Sequence, residues 1–385
     1  MSQHVVFHTP TLRGGGAERV FVLMANEFAL RGRNVTLFTW HADGPNAALV
    51  SDKVRVIDLG LPQSDGRFGK LGTLRGLVRS IPIVRQLRPD AVYSGPEFAN
   101  LIVMLVLLVL HNKAMFFPTV HAASAMRTTG LGSRLALIFS RLIAWRATKV
   151  IGVSHGVGRD LVARGMSATK VITINNPFLP AKGAPATSRA WYAELEAMGD
   201  GPVIGTAGRL IEVKDHFALL RAFASLSRKR PARLVIFGDG PLREKLVSYA
   251  ESLGVAGRVL FPGYVEDLAA CYEALDLFVL SSTTEGFGNV LVEAMASGVP
   301  VVSTDAPHGP REIMRDGALG PLVPVGDHEA LAEAMERVLD KPTDASLLKQ
   351  RAADFGMDKI ADRYLALLSI SSPRRLSVGS DRLID

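Results

Sequence analysis

Two glutamates with seven residues between them, Glu285 and Glu293, bracket the run Gly286-Phe287-Gly288-Asn289. The apolar residues from Val290 onward carry a helical period, so the Gly288-Asn289 peptides stand at a helix N-terminus. That end offers free N–H groups and partial positive charge to a phosphate. Carboxylates on either side of it can hydrogen-bond hydroxyls at the two ends of a nucleotide sugar. The plain alternative, a capping carboxylate and an exposed helix glutamate, leaves the Gly-Phe-Gly between them unexplained.

A second constellation lies in Gly205-Thr206-Ala207-Gly208-Arg209-Leu210-Ile211-Glu212-Val213-Lys214. Arg209 and Lys214, five apart on a post-strand loop, can converge on one anion, the first as a planar fork and the second as a point charge. A diphosphate suits that pairing; two solvated surface cations are the competing reading. Gly14-Gly15-Gly16, opening a helix after the first strand, lets backbone approach a ligand closely, though a tight strand-to-helix turn uses the same residues. No Gly-Lys-Ser/Thr follows, which excludes a P-loop. Gly240, in Phe237-Gly238-Asp239-Gly240-Pro241, leaves room for a flat base or ribose, or simply makes a turn.

These loops need strands behind them. Strands are expected over Val5–His8, Asn34–Thr39, Val54–Leu59, Ala91–Ser94, Met115–Val120, Val150–Val153 and Val171–Ile174, with helical stretches such as Glu18–Arg31 and Arg75–Gln86 between. After Pro180–Ser188, a linker-like stretch of small residues and proline, the alternation restarts. Strands Val203–Ala207, Arg233–Phe237, Val259–Phe261, Leu277–Leu280 and Val299–Ser303 are interleaved with helices over Phe217–Ser227 and Leu242–Leu253. Such alternation means βαβ units: two doubly wound parallel sheets in tandem, each binding ligands beyond its strands' carboxyl ends. The expected division is 1–185, 186–357, a C-terminal helix over 358–370 packing back on the first domain, and a frayed tail over 371–385.

The 385 residues suit two domains, and 48% apolar with 21% charged excludes disorder for the bulk of the chain. One cysteine, Cys271, excludes an internal disulfide and a multi-thiolate zinc site. The net charge of +7 is divided: residues 1–185 hold 22 Lys and Arg against 9 Asp and Glu, and residues 186–385 hold 22 against 28. No signal peptide is read at the N-terminus. Leu101–Leu110, ten apolar residues, is too short to span a bilayer and reads as a buried helix on a sheet, with a membrane-dipping segment as the alternative.

Together these stretches resemble the retaining glycosyltransferases of family four, with the GT-B fold: two Rossmann-like domains facing across a cleft. The glutamate pair carries most of the resemblance, joined by Gly208-Arg209-Leu210, Lys214, Gly238-Asp239-Gly240-Pro241, Phe261-Pro262-Gly263-Tyr264-Val265, Gly298-Val299-Pro300-Val301-Val302 and Gly14-Gly15-Gly16-Ala17-Glu18. It implies that Arg209 and Lys214 hold the donor diphosphate, helped by the amides of Phe287, Gly288 and Asn289, with Gly15 and Gly16 also at the donor. Glu293 would bind ribose hydroxyls, Glu285 hydroxyls of the donated sugar, and Val265 backbone groups the base. His121 matches a histidine near the reacting sugar, and on its local sequence alone reads as an ordinary core histidine.

The implied reaction is transfer of a hexose or N-acetylhexosamine from a nucleotide sugar, a UDP-sugar first and a GDP-sugar second, to a lipid-linked or saccharide acceptor of surface polysaccharide or glycolipid. Neither metal nor cofactor is expected, since two cations and a helix end take the diphosphate charge. The basic stretches Arg67–Arg88 and Arg127–Lys149, the second interleaved with Leu135, Phe139, Leu142 and Trp145, suggest that the first half docks on an anionic membrane surface at the cytoplasmic face. Packing of that helix on its own sheet is the alternative. A GT-B-type sugar-nucleotide epimerase and a basic nucleic-acid-binding protein are the competing functions. Against the latter, the basic stretches lack exposed aromatic platforms, helix-turn-helix pattern and zinc spacing.

Overall fold

The computed structural model describes residues 3–63, 68–121, 138–178, 190–265 and 268–369. Two parallel sheets organise them. The first runs β1 His4–His8, β2 Asn34–Thr39, β3 Arg55–Asp58, β4 Ala91–Ser94, β5 Met115–Val120, β6 Val150–Gly152 and β7 Val171–Thr173, in spatial order β3-β2-β1-β4-β5-β6-β7. The second holds β8 Val203–Ala207, β9 Arg233–Phe237, β10 Val259–Gly263, β11 Leu277–Leu280, β12 Val301–Thr304 and β13 Leu322–Val323, in order β10-β9-β8-β11-β12-β13. In both, the order reverses beside the domain's first strand, at β1/β4 and at β8/β11. Each reversal opens a crevice at the strands' carboxyl ends.

Helices cover both faces of each sheet. In the first domain they are α1 Gly16–Leu30, α2 Lys70–Leu87, α3 Glu97–Val109, α4 Ser140–Arg146 and α5 His155–Ala163. In the second they are α6 Ala190–Ala197, α7 His216–Ser227, α8 Arg243–Ser252, α9 Leu268–Glu273, α10 Asn289–Ser297, α11 Gly309–Ile313, α12 His328–Asp340 and α13 Ala345–Ala352, followed by α14 Met357–Leu367.

The period of two along the strands decides what packs where. Val5 and Phe7 of β1 point into one core with Val20, Phe21 and Phe28 of α1, whereas Val6 points into another with Val84 of α2 and Ile102, Val106 and Leu107 of α3. The ten-residue run Leu101–Leu110 lies largely in α3, most of it buried against the sheet. α14 belongs to the α1 side of the first domain: Met357, Ile360, Ala361, Tyr364 and Leu367 join Val5 and Phe7, and the Tyr93 hydroxyl donates to the Tyr364 carbonyl at 2.7 Å. Arg31 at the end of α1 adds ion pairs to Asp358 and Asp362.

Some boundaries differ from expectation for physical reasons. The strand expected from Val299 begins at Val301, because Pro300 has no N–H for the ladder. β10 continues past Phe261 to Gly263 with a register shift around Pro262. β13, two residues long, carries no readable period. The expected linker Pro180–Ser188, the tail 371–385 and the basic residues Arg127 and Arg134 lie outside the described residues. Among the described residues no helix is long and apolar enough to cross a membrane.

Candidate active site

The predicted motifs collect at the two crevices. Gly14-Gly15-Gly16 follows β1, Arg209 and Lys214 follow β8, and Glu285 through Asn289 follow β11. The first-domain loop meets the second domain directly. A Cβ on Gly14 would lie 3.5 Å from the Tyr264 ring, and one on Gly16 would lie 3.4 Å from Asn289 Nδ2. Beneath the loop, Glu18 Oε1 accepts from the Thr11 hydroxyl at 2.9 Å, and Glu18 Oε2 fills the space that a Gly15 side chain would need, 1.9 Å from its would-be Cβ. Burial pushes the Glu18 carboxyl up from its ordinary range, against the pull of the Thr11 hydroxyl and of Arg209 across the cleft.

In the second domain, Ile211 leads into a 3-10 turn, Glu212–Lys214, that lays the Lys214 stem beside Gly208. Lys214 Nζ bonds Glu285 Oε1 at 2.5 Å, and the Ser282 hydroxyl donates to the same oxygen at 2.7 Å. The Ser281 hydroxyl reaches back to the Lys214 carbonyl at 2.8 Å, and Thr283 N–H to the Val213 carbonyl at 2.9 Å, tying the two motif loops together. Arg209 stays exposed at the loop's edge. Lys214 and Glu285, read separately in the sequence, are thus one ion pair.

α10 begins after Gly288, whose φ of 106° is left-handed and open to glycine, and no side chain caps its first turn. The Phe287 side chain is buried edge-on against Phe355, ring centroids 5.2 Å apart, and anchors the loop. Glu293 is half-buried a turn further on; its Oε2 accepts from the Tyr272 hydroxyl at 2.9 Å. Gly238-Asp239-Gly240 lies against Gly208-Arg209-Leu210: a Cβ on Gly240 would come within 2.6 Å of the Leu210 carbonyl oxygen. The room this glycine leaves is therefore filled by the neighbouring motif's backbone. Val265, half-buried, follows β10, whose Gly263 carbonyl accepts from Gly238 N–H at 2.8 Å.

His121 ends β5. Its backbone N–H donates to Glu97 Oε1 at 3.2 Å and its ring lies 5.9 Å from that of Phe21. Its Nε2 has no hydrogen-bond partner among the described residues, and burial pushes its pKa down to about 4. These contacts lie within the first domain and do not link it to Glu285 or Lys214.

Several residues passed unnoticed in the sequence hold the halves together. Glu312 of α11 accepts from His155 N–H and from Asn175 Nδ2, each at 2.7 Å, and Asn176 Nδ2 donates to Asn289 Oδ1 at 3.0 Å. Partners more than a hundred positions apart leave no local signal. Ser282, one of four consecutive hydroxyl residues, and Tyr272, in a mostly apolar stretch, are likewise ordinary letters. Among the described residues no group of three or more His, Cys, Asp or Glu side chains could hold a metal ion.

Two doubly wound domains whose reversal points meet across a cleft are the architecture of the GT-B fold. Comparison with known proteins agrees. Residues 188–355 match the model of the glycosyl transferases group 1, and residues 15–177 that of a glycosyl transferase 4-like domain. The lipopolysaccharide core biosynthesis glycosyltransferase LpsE of Rhizobium meliloti is 30% identical, over 93% of this chain and 96% of its own length. An alpha-1,4-N-acetyl-D-galactosaminyltransferase of Campylobacter jejuni, named for a PP-undecaprenol-linked saccharide, is 25% identical over 95% of this chain and 98% of its own. Among solved structures, Anabaena Alr3699/HepE in complex with UDP and glucose superposes with a TM-score of 0.79 at 23% identity, covering 95% of this chain and 99% of that one. The chain belongs to the group 1 glycosyltransferases.

Proposed function

We propose that this glycosyltransferase moves a hexose or N-acetylhexosamine from a UDP-sugar to a lipid-linked or saccharide acceptor in lipopolysaccharide or related surface-polysaccharide assembly, retaining the anomeric configuration. The observation that carries the donor assignment is the Lys214–Glu285 pair and the uncapped start of α10 at the crevice of the second sheet, with Arg209 exposed on the loop after β8. The relatives' names, one in lipopolysaccharide core synthesis and one on a PP-undecaprenol-linked saccharide, support the acceptor class.

The chemistry follows from charge. As the bond between the sugar's anomeric carbon and the diphosphate oxygen breaks, negative charge grows on the diphosphate and positive charge on the sugar. Arg209, Lys214 and the α10 amides meet the first, preorganised and without a metal ion or cofactor. Glu285 and Glu293 hold hydroxyls of the sugar and ribose, while Gly15 and Gly16 bring the first domain's backbone up to the donor. The acceptor oxygen bonds to the anomeric carbon on the face that the phosphate leaves, and its proton passes to the departing phosphate oxygen. His121, neutral above about pH 4, can offer a hydrogen bond there but no charge.

The first domain supplies the acceptor side. α2, α3 and α4 cover one face of its sheet, and their outer side exposes Leu71, Leu74, Val78, Val109 and Trp145, with Ile138 exposed just before α4. Lys70, Arg75, Arg79, Arg85 and Arg141 stand among them, and residues 98–149 contain no Asp or Glu. An apolar face interspersed with these cations suits an anionic lipid surface, and supports a reading in which the enzyme works on the membrane's cytoplasmic side. Co-sedimentation with vesicles is expected to require anionic lipid and to weaken in Leu74→Asp; equal pelleting with neutral vesicles contradicts it. The donor is tested by nucleotide release from a panel of UDP- and GDP-sugars, with and without chelator: UDP release insensitive to chelator is expected, and release of GDP alone rejects the assignment.

A further inference from the structure

The Tyr272–Glu293 contact stands out among the polar contacts of the second domain, because it fixes a cleft carboxylate from a fully buried donor. Tyr272 is 2% exposed on α9, with its ring edge-on to Phe278 of β11 at 5.6 Å and 65°. Its hydroxyl donates to Glu293 Oε2 at 2.9 Å, and Glu293 Oε1 accepts no hydrogen bond among the described residues. We infer that Tyr272 is a positioning residue for donor binding, clamping one oxygen of Glu293 so that the other faces the donor's ribose. The inference rests on the ribose role proposed above for Glu293.

A glutamate side chain on an exposed helix face samples several rotamers, and fixing it against a ligand costs about 1–2 kcal/mol of rotamer freedom. A clamp made before the ligand arrives removes part of that cost. The phenol suits the task over the whole working pH range. Burial, and then the Glu293 charge, push its pKa well above the ordinary value, so it remains a donor. Phenylalanine at this position keeps the packing against Phe278 and loses only the oxygen.

The test is equilibrium binding of UDP and of 2′,3′-dideoxy-UDP to the full chain in wild type, Tyr272→Phe and Glu293→Gln. A carboxylate that takes ribose hydroxyls makes wild type prefer UDP by about tenfold or more. Tyr272→Phe is expected to weaken UDP about five- to tenfold and to leave dideoxy-UDP unchanged, with the donor KM rising in step and kcat within about twofold. Equal loss for both nucleotides assigns Tyr272 a packing role and overturns the inference. So does an unchanged preference for UDP in Tyr272→Phe while Glu293→Gln loses it. If Glu293→Gln keeps the wild-type preference, the ribose reading itself is wrong, and the role of Tyr272 falls with it.

Discussion

Replacing Lys214 with methionine keeps most of the length of the side chain and removes its charge, leaving the Glu285 carboxylate without its cation. In the wild-type chain the pair is 2.5 Å apart, with the lysine side chain 22% and the glutamate side chain 11% exposed. Breaking a fully buried pair costs about 3–5 kcal/mol. Water reaches part of this lysine and Ser282 still holds the same oxygen, so Lys214→Met should cost about 1–3 kcal/mol of stability. Turnover should suffer more, since a preorganised charge on the departing diphosphate contributes about 2.7–4 kcal/mol, a hundred- to thousandfold in kcat. The two losses can be separated. Adding Glu285→Gln removes the stranded charge and should return stability to within about 1 kcal/mol of wild type, while turnover stays lost. Urea unfolding and initial rates of nucleotide release measure the two. Activity of Lys214→Met within threefold of wild type, or recovery of rate in the double variant, refutes a diphosphate role for this lysine.

Two further outcomes are expected. His8 and His216, both buried with pKa pushed down to about 4 from 6.5, are neutral when folded. The unfolded chain binds more protons between those values, so stability present above about pH 6.5 is lost on acidification, near 2 kcal/mol per imidazole at pH 5. Glu18, pushed up by burial, works in the opposite sense. Urea midpoints at pH 7 and pH 5 check the net fall, and equal midpoints contradict it. Gly309→Ala would set a Cβ 1.8 Å from the Phe287 carbonyl oxygen, a backbone atom that cannot step aside. It should displace the Phe287–Asn289 loop and raise the donor KM at least tenfold, about 1.4 kcal/mol, whereas an unchanged KM in a folded variant shows that the loop does not shape the donor site.

Much of the fold was legible because every strand but the two-residue β13 is a short β-branched or apolar run that survives in the letters. Asn34–Thr39, Ala91–Ser94, Met115–Val120 and Leu277–Leu280 begin and end where the sequence expects. The motif loops were legible for a related reason: they fall directly after strands, where a doubly wound sheet places its ligand crevice, although turns and solvated charges use the same residues. Pairings between loops were not. Lys214 and Glu285 are 71 positions apart and Asn175 and Glu312 are 137 apart, so their contacts depend on strand order rather than on any local pattern. Gly240 shows the same limit, since the space it leaves is taken by Leu210 from another loop. Tyr272 sits in an apolar stretch, where a tyrosine ring looks like core until its hydroxyl is seen to reach Glu293.

The most direct test follows both products of one reaction. A UDP-sugar labelled in the sugar is incubated with a diphosphate-lipid-linked saccharide, and label in the lipid phase is compared with UDP in the aqueous phase. One UDP per sugar transferred is predicted, with the new linkage keeping the donor's anomeric configuration and both products lost in Glu285→Gln. UDP without labelled lipid, or a product of inverted configuration, contradicts a retaining transferase.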